Sequence, residues 1–180
     1  QQSPSGLKLQ TVKSRADNSF DIEAFEAACA EAGDSLKLVS LVHVGNLDGV
    51  EIPIADASKI AHDYGAIVHV DGAQSAPHMP INVEELGCDL FSFSLHKMLG
   101  PTGVGALWGR EEVLESLEPI SAGGGTVEAA TAEQYTLRSI PDRLEGGHGH
   151  YAGICGTEAA LDLLSNYDMH DLAEQEVRVN

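Results

Sequence analysis

Positive charge is what this sequence has least of. Ten Lys and Arg stand against 28 Asp and Glu, a formal net charge of −18 over 180 residues. A surface of that sign repels phosphate backbones and anionic headgroups, which argues against nucleic acid and against a membrane as partners. The lysines are Lys8, Lys13, Lys37, Lys59 and Lys97. An acidic, lysine-poor surface suits a protein that stays soluble at high salt, and it equally suits an ordinary acidic cytosolic protein. Cysteine is sparse too. Cys29, Cys88 and Cys155 are odd in number, widely spaced and without a Cys-x-x-Cys pair. Neither a disulfide framework nor a zinc site is indicated, and no metal is expected. A reducing cytoplasm is the simple expectation. No apolar run approaches the roughly 18 residues of a membrane helix. The opening residues, Gln1-Gln2-Ser3-Pro4, offer no initiator Met, no basic region and no apolar signal core. The expectation is a chain either processed or cut from something longer.

What is present is an ordinary globular balance, 43% hydrophobic and 21% charged, with length enough for one domain and its core. Residues 6–12 alternate apolar and polar, as a strand does. Asp21 reads as a helix N-cap, with Glu23 suited to the positive end of the helix dipole. Phe25, Ala28, Cys29 and Ala32 then form one apolar face, and Gly33 ends the helix. A strand is expected over 37–44, a helix over 56–64 ended by Gly65, and strands over 66–70, 88–94 and 104–108. Further helices are expected over 111–117, 151–165 and 169–177. Strands separated by helices of about ten residues argue for βαβ units and a parallel or mixed sheet. Residues 119–150 are glycine-rich and aperiodic, and are expected to be an irregular functional or partner-facing loop.

In open α/β sheets, ligands bind beyond the carboxyl ends of the strands. Three strand exits carry polar groups: Val44-Gly45-Asn46, Val70-Asp71-Gly72-Ala73-Gln74, and Phe93-Ser94-Leu95-His96-Lys97 with Met98 to Gly103 after it. Singly, each has a plain reading. Asn46 is a turn residue, Asp71-Gly72 a turn pair, Lys97 a surface lysine and His96 a structural histidine. Together they gather a carboxylate, an amide, a hydroxyl, an imidazole and an amine at neighbouring exits.

That set suits pyridoxal phosphate. The cofactor needs a lysine amine for its aldehyde, an acid to keep its ring nitrogen protonated so that the ring acts as an electron sink, and donors for its phosphate. Lys97 can supply the amine. Asp71 can pair with the ring nitrogen. Ser94 and His96, three and one residues before Lys97, can face the phosphate.

The run VDGAQSAPHMPINVEELGCDLFSFSLHKMLGPTGVGALWGR, residues 70–110, resembles the core of the class V aminotransferases, and within them the SufS-like cysteine desulfurases. The resemblance extends from about Ile22 to Leu164. It implies the large domain of a fold-type I enzyme: α/β, with a mixed, mostly parallel sheet flanked by helices. It implies Lys97 as the lysine bonded to the cofactor and Asp71 as the ring-nitrogen partner. Gln74 matches the residue that bonds the ring hydroxyl. Ser94 and His96 match phosphate ligands. Asn46 matches the asparagine near the substrate carboxylate and the ring oxygen. His43, His69 and His78 match structural positions, and Cys88 and Cys155 are expected in the core.

Two departures matter. Glu145-Gly146-Gly147-His148-Gly149 stands where the family has a segment E-x-G-T-P, whose threonine reaches the partner subunit's phosphate. His148 takes that threonine's place as a phosphate ligand, or it is an exposed loop histidine. His43-Val44-Gly45-Asn46 stands where the family has HVSN. The resemblance also sets a glycine-rich segment before residue 1. After residue 180 it sets a small domain with the cysteine that attacks substrate sulfur and the arginine that grips substrate. Residues 1–180 are thus expected to be a partial cofactor-binding domain. The implied activity is release of sulfur from L-cysteine as an enzyme persulfide, for iron–sulfur cluster or sulfur-cofactor assembly. A homodimer and a sulfur-acceptor protein are the implied partners. Transamination, epimerisation and selenocysteine cleavage stay open on the same scaffold.

Overall fold

The structure is a computed structural model that describes residues 6–179. Asp21 caps helix α1 (Ile22–Ala32), its Oδ1 accepting from Ala24 N at 3.1 Å. Phe25 and Cys29, one turn apart, are its buried residues, and Gly33 closes it at φ 50°. Strand β1 (Leu38–Val42) follows. Helix α2 (Ile54–Asp63) begins two residues earlier than its sequence pattern predicts. Pro53, at the cap with φ fixed near −72°, sets up that start, and Ile54 is buried in the first turn. Ile54, Ala57, Ser58 and Ala61 make its inner face. Strand β2 (Ile67–Asp71) buries Val68 and Val70 completely.

A short helix α3 (Val83–Leu86) goes beyond the sequence reading. Asn82 Oδ1 accepts from Glu84 N and Glu85 N at 3.1 and 3.4 Å, and Gly87 ends the helix in the left-handed region. Strand β3 (Leu90–Ser94) runs into a 3-10 turn, Leu95–Lys97. Strand β4 (Gly105–Gly109) pairs with β3 antiparallel, from Leu90 opposite Gly109 to Ser94 opposite Gly105. Helix α4 (Glu111–Ser116) comes next. After the hairpin of β5 (Val127–Ala130) and β6 (Tyr135–Leu137), the chain ends in helices α5 (Tyr151–Leu164) and α6 (Met169–Val179).

The sheet order is β1-β2-β3-β4. Helices intervene between successive strands up to β3, the connection that parallel neighbours require, and the antiparallel β4 makes the sheet mixed. The expected α/β class and mixed, mostly parallel sheet are what the structure has. The chain divides into two compact units. The first is Gln1–Val70 with Asn82–Cys88. In it α1 packs on α2 and α2 on α3. The second is Asp71–Ile81 with Asp89–Asn180, and holds the β3–β4 and β5–β6 pairs. Among the described residues no helix is long and apolar enough to cross a membrane.

Three expectations need correction. Residues 6–12 form no strand beyond a bridge position at Lys8. Leu7 and Leu9 are exposed, and alternation makes a strand only where one face is covered. The region 119–150 is not wholly irregular. It holds the β5–β6 hairpin, its turn closed by Thr131 N donating to Gln134 O at 2.8 Å, and a 3-10 turn, Asp142–Leu144. Cys155 is exposed on α5 rather than in the core, whereas Cys29 and Cys88 are buried, neither in a disulfide.

Candidate functional site

β2 ends on Asp71, and the chain turns at once. Asp71 is exposed, and its Oδ1 accepts from Ala73 N at 2.9 Å, which fixes the carboxylate over the turn. Gly72 is buried, and its N–H donates to Ser92 O at 2.8 Å. A β-carbon at 72 would come within 1.9 Å of Phe91 Cζ, so the close approach admits only glycine. Gly72 O accepts from Ala76 N at 2.8 Å and from the buried Ser75 hydroxyl at 3.4 Å. Half-buried Gln74 is carried on this doubly pinned turn.

β3 ends on Ser94, and Leu95 anchors the 3-10 turn that follows. Leu95 is 3% exposed. Its N–H donates to Val104 O at 3.1 Å, and its carbonyl accepts from both Met98 N and Gly100 N at 2.9 Å. Around that plug sit half-buried Ser94, exposed His96 and half-buried Lys97. The Gly72–Ser92 bond ties the turn bearing Asp71 and Gln74 to β3, two residues upstream of Ser94. The second unit therefore holds Asp71, Gln74, Ser94, His96 and Lys97 on two linked strand exits.

Asn46 belongs to the first unit, in the turn after β1. Gly49 N donates to Gly45 O at 3.1 Å, Gly45 N to Val50 O at 2.8 Å and Val50 N to Asp48 Oδ1 at 3.2 Å, leaving Asn46 exposed on a tight turn. At the base of that turn His43 is 3% exposed, with Nε2 3.8 Å from Glu51 Oε1 and Nδ1 buried without a partner. Burial pushes its pKa below the ordinary imidazole value, and the Glu51 carboxylate opposes the shift. His78 bonds Glu176 on α6 at 2.7 Å.

His148 is exposed in the 145–149 loop. Among the described residues no hydrogen bond joins it to the Lys97 turn. The loop itself is well tied. Gly147 N donates to Gly124 O at 2.6 Å. Gly125, at φ 92°, lies so close that a β-carbon would meet Glu145 O at 2.7 Å. Thr126, buried, accepts from Gly123 N at 3.0 Å. Arg143 donates to the carbonyls of Leu114 and Glu115 in the last turn of α4, where a cation suits the helix dipole.

One residue near this turn was not singled out by sequence reasoning. His150, the N-cap of α5, places its Cδ2 3.7 Å from where a Gly103 β-carbon would be and 2.5 Å from where a Gly153 β-carbon would be. Its ring therefore lies beside the Gly100-Pro101-Thr102-Gly103 turn. The only signal was two glycines fifty residues apart, and nothing local links them.

The donor set fits pyridoxal phosphate: one amine, one carboxylate braced by a backbone N–H, one amide, one hydroxyl and one imidazole on two joined turns. Among the described residues no group of three acidic, histidine or cysteine side chains could hold a metal ion.

The family model for aminotransferase class V matches residues 2–180. A "Probable cysteine desulfurase" of Halalkalibacterium halodurans is 40% identical over 171 residues, covering 95% of this chain and 41% of that protein. A "Cysteine desulfurase" of Haloferax volcanii is 36% identical, covering 95% of this chain and 39% of that protein. Among solved structures, the apo cysteine desulfurase of Thermococcus onnurineus superposes with a TM-score of 0.86 at 37% identity, over 95% of this chain and 42% of that one. The cysteine desulfurase CsdA of Escherichia coli gives 0.76 at 36% identity, over 81% and 36%. The chain spans about two fifths of the length of the curated relatives it matches. On the match of the family model along residues 2–180, the chain belongs to the class V aminotransferase family.

Proposed function

We propose that this chain is the cofactor-binding part of a pyridoxal phosphate-dependent cysteine desulfurase, one that takes sulfur from L-cysteine and leaves alanine. One observation carries the reading: the Lys97 amine shares a single tight turn with Ser94 and His96, in a chain 40% identical to a protein described as a probable cysteine desulfurase. When bound, the cofactor supplies an electron sink for charge at the substrate Cα.

The chain's own groups do the rest. Lys97 holds the cofactor by its ε-amine and, once free of it, moves the proton at Cα. Asp71 keeps a proton on the ring nitrogen. Its Oδ1 accepts from Ala73 N, which fixes the carboxylate in place over the turn. Gln74 bonds the ring hydroxyl, and Ser94 and His96 donate to the phosphate. Asn46 serves the substrate carboxylate and the ring oxygen. His148 donates to the phosphate of a partner subunit, which makes the working enzyme a homodimer. Cys29 and Cys88 are buried and Cys155 is exposed on α5; the family resemblance, rather than any of these three, sets the sulfur-accepting cysteine outside residues 1–180. The persulfide passes to an acceptor protein in iron–sulfur or sulfur-cofactor assembly, and the setting is cytoplasmic.

A second reading has one observation behind it. Gly147-His148-Gly149 departs from the family's threonine–proline pair, which leaves room for another class V reaction such as transamination or epimerisation. The test is turnover of L-cysteine by the full-length protein. Alanine and sulfane sulfur in equal amounts support desulfuration. A keto acid or the D-enantiomer in their place overturns it.

A further inference from the structure

The turn that carries Lys97 closes in an unusual way. After the 3-10 turn Leu95–Lys97, Met98 N and Gly100 N both donate to Leu95 O at 2.9 Å. The second bond spans six residues, the return bond of a Schellman-type helix end. Such a closure needs its next-to-last residue in the left-handed region, and glycine is the usual occupant because it has no β-carbon to clash. Here that residue is Leu99, at φ 61°. Among the described residues the other non-glycine with positive φ is Asn18, a type that tolerates it. Leu99 is also 67% exposed, so little burial offsets the strain. Gly100 stands one place later for a different reason: a β-carbon there would lie 2.8 Å from Leu95 O.

Strain of this kind is held in place by the structure around it, and it clusters at active sites and switch segments, where it is part of the mechanism. Any relaxed backbone for Leu99, extended or right-handed, breaks the Gly100–Leu95 bond and frees the segment just after Lys97. A glycine at 99 would deepen the closed state. On the reading above, the Lys97 amine must both hold the cofactor and leave it, so it needs two positions. We propose that Leu99 is a positioning residue for Lys97: its strained backbone keeps the 95–100 turn weakly closed, so that the amine can move between its two positions. This rests on the assignment of Lys97 as the cofactor lysine.

The experiment compares wild type, Leu99→Gly and Leu99→Ala in the full-length protein. Two quantities are read. One is hydrogen exchange at the Met98 and Gly100 amides of the apo protein. The other is the rate at which apo protein captures pyridoxal phosphate, followed as borohydride-fixed mass on the peptide containing Lys97. Leu99→Gly is expected to slow both by about tenfold, the factor set by the left-handed penalty it removes. Leu99→Ala keeps the β-carbon and should match wild type. Should Leu99→Gly fail to fold, Leu99→Asn carries the same test with an intermediate effect. The inference is overturned if the glycine variant exchanges or captures at the wild-type rate, or if alanine behaves as glycine does. A fixed label on a peptide without Lys97 in the wild type overturns the lysine assignment instead, so the two failures are distinct.

Discussion

Gly72 lies flat against Phe91: a β-carbon on the first would sit 1.9 Å from the Cζ of the second. Phe91 is buried in β3, and Gly72 is the hinge between Asp71 and Gln74. Neither ring nor turn has room to give, since Gly72 N is bonded to Ser92 O. Gly72→Ala is therefore expected to destabilise the protein by about 3 kcal/mol, the upper end for overpacking a buried position. Urea denaturation checks it. An unchanged midpoint would show that the Asp71 turn is looser than the structure has it.

Lys97→Ala should fold normally, because the half-buried side chain is no core element. It should bind pyridoxal phosphate without covalent capture and lose turnover. Lys97→Arg keeps the charge yet offers no amine that can bond the aldehyde, so it should fail equally. Borohydride reduction and peptide mapping of the full-length protein decide the matter. The expected label falls on the peptide containing Ser94 to Met98.

His43 gives a pH dependence with a definite sign. Burial holds its folded pKa below the ordinary 6.5. From about pH 6.5 downward the unfolded chain therefore binds the proton more readily than the folded one, and stability falls with pH until the folded pKa is passed. Above 6.5 the ring is neutral in both states and contributes no slope. Asp17 and Asp21 are also lowered, by bonds from Ser19 and Ala24, but from 3.8, so their effect lies in a more acidic window. Denaturation midpoints between pH 7 and 5 should fall for wild type and fall less for His43→Gln. Parallel curves would remove His43 from the account.

The net charge of −18 implies self-repulsion in the folded state. Raising KCl from 0.1 to 1 M shortens the screening length from about 10 to about 3 Å. The thermal midpoint is expected to rise by about 2–8 °C, a gain of roughly 1–2 kcal/mol for a chain of this size. A flat or falling midpoint would mean that the acidic side chains are already neutralised by local pairing.

Much of this fold was legible because its signals are local. Asp21 caps the helix beginning at Ile22 and Gly33 ends it, as read from the sequence, since both act through bonds within four residues. The strand exits at Asp71 and Ser94 follow from apolar runs that stop at polar residues. The misses have equally definite causes. Residues 6–12 have a strand's alternation but no covered face. The hairpin of 127–137 is mostly exposed, so no buried stripe announced it. Cys155 sits among small residues, which mark a packed helix face as readily as a solvent-facing one.

By itself the sequence determined the chemistry available and its local grouping. Ser94, His96 and Lys97 are near neighbours along the chain, and any turn there must carry them together. Only the tertiary structure decided what stands beside that turn. It tied the Asp71–Gln74 turn to β3 through Gly72 and Ser92, brought His150 next to Gly103, and laid Gly125 against Glu145. Backbone preferences and caps act over four or five residues and are written in the sequence there. Pairings across twenty or fifty residues depend on which surfaces are left to bury, and that is settled only once the strands have taken their places.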